Sequence, residues 1–257
     1  MRKINRRDFL AGAGAILGAN AIPSPVRSLL SSRDTEVPFI PSASDYIQDG
    51  LVAMYDGIEN AGTGIHNPYA TIWKDLGPNN IDMDIFSVAH FERNCLRTPD
   101  SRPNGKIYGD TGVSIKWVAC EFVAECIGAG GVLSFSGMAD DRFFGLYPDY
   151  VQFADPYTMT YSDGSIPAKG TFSCSWYGYS NVLAFANKEE LVVGSTTNHW
   201  SRNDLRTTFG LGGSGNPNAY AAWQFTGRIF CIRLYDHILT GDEVAYNYAL
   251  DQERFGL

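Results

Sequence analysis

Basic residues are scarce in this 257-residue chain: 20 Lys and Arg stand against 28 Asp and Glu, a net charge of −8. Such a balance offers no basic footprint for a polyanion, which argues against nucleic acid as a partner. Methionine is scarce too, at five, while glycine (27), phenylalanine (15) and tyrosine (14) are plentiful, a composition that leans toward sheet rather than helix. His66, His90, His199 and His237 are scattered singly, as ordinary surface or core histidines are. The five cysteines, at 95, 120, 126, 174 and 231, show no Cys-x-x-Cys spacing and no histidine at a ligand spacing. Zinc is therefore not expected, and the thiols read as small buried apolar groups. Cys120 and Cys126 share one face of a strand, yet six residues of extended chain hold them about 20 Å apart, too far to bridge. What is present, 44% apolar and 19% charged residues, is the composition of a folded globular chain.

The ends differ in character. Residues 1–21 combine a basic start, a Gly/Ala-rich apolar stretch and an Ala19-Asn20-Ala21 finish, the order of parts in an export signal. The apolar stretch covers about 13 residues, too few to span a bilayer. Arg6-Arg7 with Phe9-Leu10 resembles a bacterial twin-arginine signal, which implies an exported, periplasmic, surface or secreted protein. Loss of this segment leaves 16 basic and 27 acidic residues, a net charge of −11, which does not attract anionic lipid. Residues 22–45 hold four prolines and six serines and read as a tether. The folded domain is expected over 46–257.

From Tyr46 onward, short apolar and aromatic runs recur about every ten residues between Gly, Asp and Asn turns, the rhythm of an antiparallel sandwich. Residues 113–118 and 120–123 read as one strand, or two with a bulge. In Gly227–Tyr235, alternation places Phe230, Ile232 and Leu234 on one face, expected between the sheets, and Cys231 and Arg233 on the other. Thr240 with Glu243 is a capping-box signature, and predicts one terminal helix of about three turns.

The closing pattern, Gly227-x-Ile229-x-x-Ile232-Arg233-Leu234-Tyr235 followed by Leu239-Thr240-x-x-Glu243-Val244, Asn247-Tyr248 and Arg254-Phe255, resembles the end of laminin-G-like domains. The opening is similar as well: Asp49–Gly57, then Trp73-Lys74-Asp75-Leu76 and a Gly77-Pro78-Asn79-Asn80 turn. The resemblance implies the concanavalin A-like superfamily: an all-β, antiparallel two-sheet jelly-roll sandwich with one short C-terminal helix, its first and last strands paired. Fold does not dictate function.

Most familiar chemistry is missing. Gly210-x-Gly212-x-x-Gly215 is followed by Asn216-Pro217-Asn218, not by a helix that would receive a dinucleotide. Ser214 lacks the Gly-x-Ser-x-Gly spacing of a nucleophile elbow. Glycosidases of the superfamily resembled carry Glu-x-Asp-x-x-Glu, and retaining chemistry needs carboxyls about 5–5.5 Å apart. Glu121 and Glu125 share a face but lie about 13 Å apart on an extended strand and read as acids on a solvent-facing edge. Laminin-G-like domains often hold calcium at a loop rim, which implies Asp140 and Asp141 as candidate ligands with Asp149 or Asp155 nearby; Asp82 and Asp84 alternate in the same way, but no EF-hand spacing occurs.

Aromatics carry the binding signal. Residues 140–161 and 176–202 interleave rings with short polar side chains, and sugars present apolar C–H faces beside hydroxyls. The candidates are the rings of Tyr150, Tyr157, Tyr179 and Trp200, with Asp149 and Asn198 as hydrogen-bonding partners; Trp117 and Phe172 are assigned to the core. The leading expectation is an exported, non-catalytic domain that recognises carbohydrate or a surface protein, with no obligatory cofactor. A structural or adhesive component of a cell envelope or appendage is the alternative, and a carbohydrate-active hydrolase a third.

Overall fold

Short β-branched and aromatic runs between turn residues fold as antiparallel strands throughout the computed structural model, which describes residues 40–86, 89–98, 109–127, 132–134, 143–146, 151–155, 158–163, 166–177, 181–193, 205–211 and 225–257. The strands are β1 (Leu51–Asp56), β2 (Ile72–Trp73), β3 (Met83–Ile85), β4 (His90–Phe91), β5 (Leu96–Arg97), β6 (Gly109–Trp117), β7 (Ala119–Cys126), β8 (Val132–Ser134) and β9 (Phe143–Leu146). They continue as β10 (Val151–Asp155), β11 (Thr158–Asp163), β12 (Lys169–Tyr177), β13 (Asn181–Ala186), β14 (Glu189–Glu190), β15 (Val192–Val193), β16 (Leu205–Leu211) and β17 (Gly227–Tyr235), followed by helix α1 (Gly241–Phe255). All belong to one compact unit, Ser42–Leu257.

The largest sheet runs β14-β13-β12-β7-β17-β5-β4, with β1 also on β17. The facing layer comprises a four-stranded sheet, β16-β6-β3-β2, and a five-stranded one, β15-β11-β10-β9-β8. One buried cluster joins them. Tyr55, Phe122, Phe172, Ile232 and Leu234 of the large sheet meet Trp73, Ile115, Trp117 and Leu211 of the four-stranded sheet and Leu146 and Val151 of the five-stranded one. Each such side chain contributes about 1.5–3 kcal/mol through burial. The run 113–123 is two strands in different sheets: β6 ends at Trp117 and β7 begins at Ala119, with the Val118 N–H donating to the Tyr235 carbonyl (2.6 Å).

The first and last strands pair as expected, from Leu51 opposite Tyr235 to Asp56 opposite Cys231. Gly227 opens β17 because a Cβ there would run into the Glu125 carbonyl oxygen. One expectation fails on this strand. The register against β7 shifts between Ile229 and Cys231, and this extra residue reverses the alternation upstream. Ile229, Ile232 and Leu234 therefore enter the inter-sheet core, while Phe230 packs on the opposite face with Phe255 of α1, ring centroids 5.9 Å apart.

Helix α1 covers that opposite face. The Thr240 N–H donates to Glu243 Oε2 (2.9 Å) and the Glu243 N–H to Thr240 Oγ1 (3.3 Å), which satisfies two otherwise unpaired donors of the first turn. Gly256 ends the helix at φ 64°, a left-handed conformation glycine adopts without Cβ strain. The helix is 15 residues long, a turn more than expected. Its buried face includes Val244, Asn247, Leu250, Asp251, Arg254 and Phe255, so it carries charge into the interior.

Candidate functional site

That buried charge is answered from the sheet. Arg233 of β17 donates from Nη1 to Asp251 Oδ1 (2.8 Å), from Nη2 to Asp251 Oδ2 (2.7 Å) and from Nε to Glu121 Oε2 (3.0 Å). Glu121 lies on β7 directly opposite Arg233, and its Oε2 also accepts from Asn247 Nδ2 (2.6 Å). Thr171 Oγ1 donates to Asp251 Oδ2 (2.8 Å), and the guanidinium lies 4.4 Å from the centroid of the Tyr46 ring. All three charged side chains are fully buried.

One guanidinium thus serves two carboxylates. Burial, opposed by Arg233 and reinforced by the charge of Asp251, pushes the Glu121 carboxyl up to about 7. Glu121 Oε1 and the hydroxyl of Ser173, the residue opposite it on β12, are both buried without a hydrogen-bond partner among the described residues. A second pair ties the end of β1 to the end of α1. Arg254 Nε donates to Asp56 Oδ2 (2.7 Å), and its Nη2 lies 3.2 Å from Glu59 Oε2.

The Trp-x-Asp segment has a structural task. Trp73 Nε1 donates to the Asp56 carbonyl (2.9 Å), while Asp75 accepts from the backbone N–H groups of Met54, Gly77 and Ile81. The turn 77–80 is thereby locked onto β1. Asp82 is bound to Lys74 Nζ (2.5 Å) and to the Asp75 N–H (3.1 Å), which occupies the carboxylate that alternates with Asp84.

The two same-face acids of β7 are each engaged by a different arginine. Glu121 is wholly buried beneath α1, not on a solvent-facing edge, because Arg233 and Asn247 hold it there. Glu125 is bound by Arg228 Nη1 (2.8 Å), whose Nε donates to Glu92 (3.0 Å). Each glutamate answers to its own arginine.

The other sequence candidates lie outside the described residues. Tyr150 and Asp149 precede β10, Tyr157 falls between β10 and β11, Tyr179 between β12 and β13, and Asn198 and Trp200 between β15 and β16. Asp140 and Asp141 fall between β8 and β9, and Arg6 and Arg7 in residues 1–39. Among the described residues, no group of three or more His, Cys, Asp or Glu is placed to hold a metal, and no helix is long and apolar enough to cross a membrane. All five cysteines are buried as free thiols, and burial pushes Cys120, Cys174 and Cys231 well above the usual thiol range. Trp117 and Phe172 are core residues, as assigned.

Residues 57–72 carry no binding candidate in the sequence. There Asn60, fully buried, donates from Nδ2 to the Asn67 carbonyl (2.7 Å) and accepts the Asn67 N–H at Oδ1 (2.8 Å). This clasp leads directly to Tyr69, which is 88% exposed. The signal available was a pair of asparagines bracketing Gly62 and Gly64 ahead of Pro68-Tyr69.

No protein-family model matches the sequence, and no curated protein is significantly similar to it. Solved structures do resemble the fold. A Trypanosoma rangeli sialidase in complex with 2,3-difluorosialic acid superposes with a TM-score of 0.54 at 14% identity, over 84% of this chain and 35% of that one. Another structure of Trypanosoma rangeli sialidase gives 0.52 at 14% identity, over 83% and 33% of the two chains. Domain 4 of an extracellular arabinanase from Geobacillus stearothermophilus, in complex with arabinotriose, gives 0.43 at 16% identity, over 79% and 100%. The chain spans about a third of the length of the sialidases it is similar to. Its fold is an all-β arrangement of antiparallel sheets, closed by one C-terminal helix.

Proposed function

We propose that this chain is an exported, non-catalytic carbohydrate-binding domain, laminin-G-like in kind. One observation carries the reading: in a sandwich that we read as lectin/glucanase-like, the two same-face acids, Glu121 and Glu125, are each bound to an arginine. Those carboxylates serve stability, and the sequence of residues 140–161 and 176–202 interleaves rings with amides and carboxylates, the residue types that suit a sugar's C–H faces and hydroxyls. Loops on a rigid sandwich are where such residues concentrate. The Arg6-Arg7 start supports export.

The test is to apply the full chain to a glycan array and assay the bound glycans for new reducing ends. Retention on at least one glycan class, with no new reducing ends, is expected. Release of reducing sugar, or no retention on any glycan, would overturn the proposal.

A further inference from the structure

We infer that residues 57–72 and the β2–β3 edge form a contact surface for an uncharged oligosaccharide, with Tyr69 as the stacking ring; this rests on the carbohydrate-binding reading above. Four large apolar residues are exposed within 22 residues of sequence: Ile65 (57%), Tyr69 (88%), Ile72 (40%) and Phe86 (41%). A single exposed hydrophobic residue needs no explanation; four within one loop and the strand pair that follows it do.

The surface is built rigidly. Besides the Asn60–Asn67 clasp, the Ala61 N–H donates to the Ile65 carbonyl (3.1 Å) and the Ile65 N–H to the Gly62 carbonyl (2.8 Å). The Gly64 N–H donates to Glu59 Oε1 (3.0 Å), and Glu59 is in turn held by Arg254. At the tip, the Tyr69 N–H donates to Asn67 Oδ1 (2.9 Å) and the Ala70 N–H to the Asn67 carbonyl (3.2 Å). The backbone that carries the ring is thus fixed before any ligand arrives, which lowers the ordering cost of binding.

The neighbouring strands extend the surface. Met83 and Ile85 of β3 point into the core, so the residues that alternate with them, Asp84 and Phe86, face outward. Ile72 lies directly opposite Asp84, and Phe86 sits diagonally from it, about 7–8 Å away by strand geometry. Apolar side chains are therefore interrupted by a carboxylate and bordered by the exposed amide of Asn67. Protein interfaces deplete charge at their centres, whereas a sugar offers a C–H face and hydroxyls side by side.

Charge selects the class of sugar. Residues 57–73 and 83–86 contain no Lys or Arg, Lys74 is bound to Asp82, and Asp84 stands opposite Asp110 of β6. A carboxylated glycan would meet like charge there, an unfavourable juxtaposition. An uncharged glycan meets no such repulsion, and finds the Asp84 carboxylate as an acceptor for its hydroxyls and the exposed Asn67 amide as a donor.

The experiment is binding of the full chain, Tyr69→Ala and Tyr69→Ala/Phe86→Ala to an array of neutral gluco-, galacto-, manno- and arabino-oligosaccharides and of sialylated ones. Neutral glycans are expected to bind, with affinity reduced about tenfold or more in Tyr69→Ala and the melting temperature unchanged. Wild-type affinity in both variants would overturn the surface while leaving the carbohydrate reading intact. Binding confined to sialylated glycans would overturn the uncharged class, and a wild-type chain that binds no glycan would overturn both readings.

Discussion

Arg233 and Asp251 meet through two parallel hydrogen bonds of 2.8 and 2.7 Å, both residues fully buried, and so pin helix α1 to the middle of the large sheet. The planar guanidinium fork matches a carboxylate in a way a lysine ammonium cannot. Removal of one partner leaves the other charge buried, which costs far more than the net contribution of the intact pair.

Asp251→Ala is accordingly expected to destabilise the fold by about 3–5 kcal/mol, as read from the urea midpoint. Arg233→Lys should also lose stability, because one ammonium cannot satisfy Asp251 bidentately and Glu121 as well. A wild-type midpoint in either variant would contradict the arrangement.

The raised carboxyl of Glu121 makes a pH prediction. Its folded-state value of about 7 lies above the ordinary 4.3 of an unfolded chain, so the native state holds a proton that the unfolded state releases between those limits. The stability from this group is fully present below about pH 4.3 and is lost as pH rises through 7. Relative to Glu121→Gln, wild type should lose about 3 kcal/mol between pH 4 and 8. Denaturant titrations of both proteins across that range check it; a pH-independent difference would remove the buried, proton-holding glutamate.

Phe230 and Ile232 should respond differently to substitution. Ile232→Asp puts an unpaired charge between the sheets and is expected to prevent stable folding. Phe230→Ala removes a ring that packs on Phe255, at a cost of about 3–5 kcal/mol, and should raise amide exchange in α1 before the strands. Faster exchange in β6 or β16 than in α1 would place Phe230 back between the sheets.

These two residues also mark how far the sequence could be read. Strand rhythm, the Thr240–Glu243 cap and the pairing of first and last strands were legible because each leaves a local pattern or a motif. The bulge at 229–231 was not, since one extra residue in a strand leaves no trace in composition yet reverses the faces upstream of it. The burial of Glu121 was hidden for another reason: Arg233, Asn247 and Asp251 lie 112 to 130 positions further along the chain, and only folding brings them to one point. Tyr69 was not legible either, because a lone tyrosine after Asn67-Pro68 resembles any loop aromatic until the Asn60 clasp is seen.

Export has its own test. With Arg6 and Arg7 both changed to lysine, the precursor is expected to remain inside the cell, measured by fractionation and immunoblotting. Undiminished export of the double variant would remove the twin-arginine assignment.

The central claim, sugar binding without turnover, is tested most directly by isothermal titration calorimetry of the full chain with a neutral oligosaccharide retained on the array. A binding protein gives injection peaks that return to baseline and saturate near one ligand per chain, and that is the predicted result. A steady heat that persists after each injection and scales with protein concentration would report hydrolysis and contradict the account.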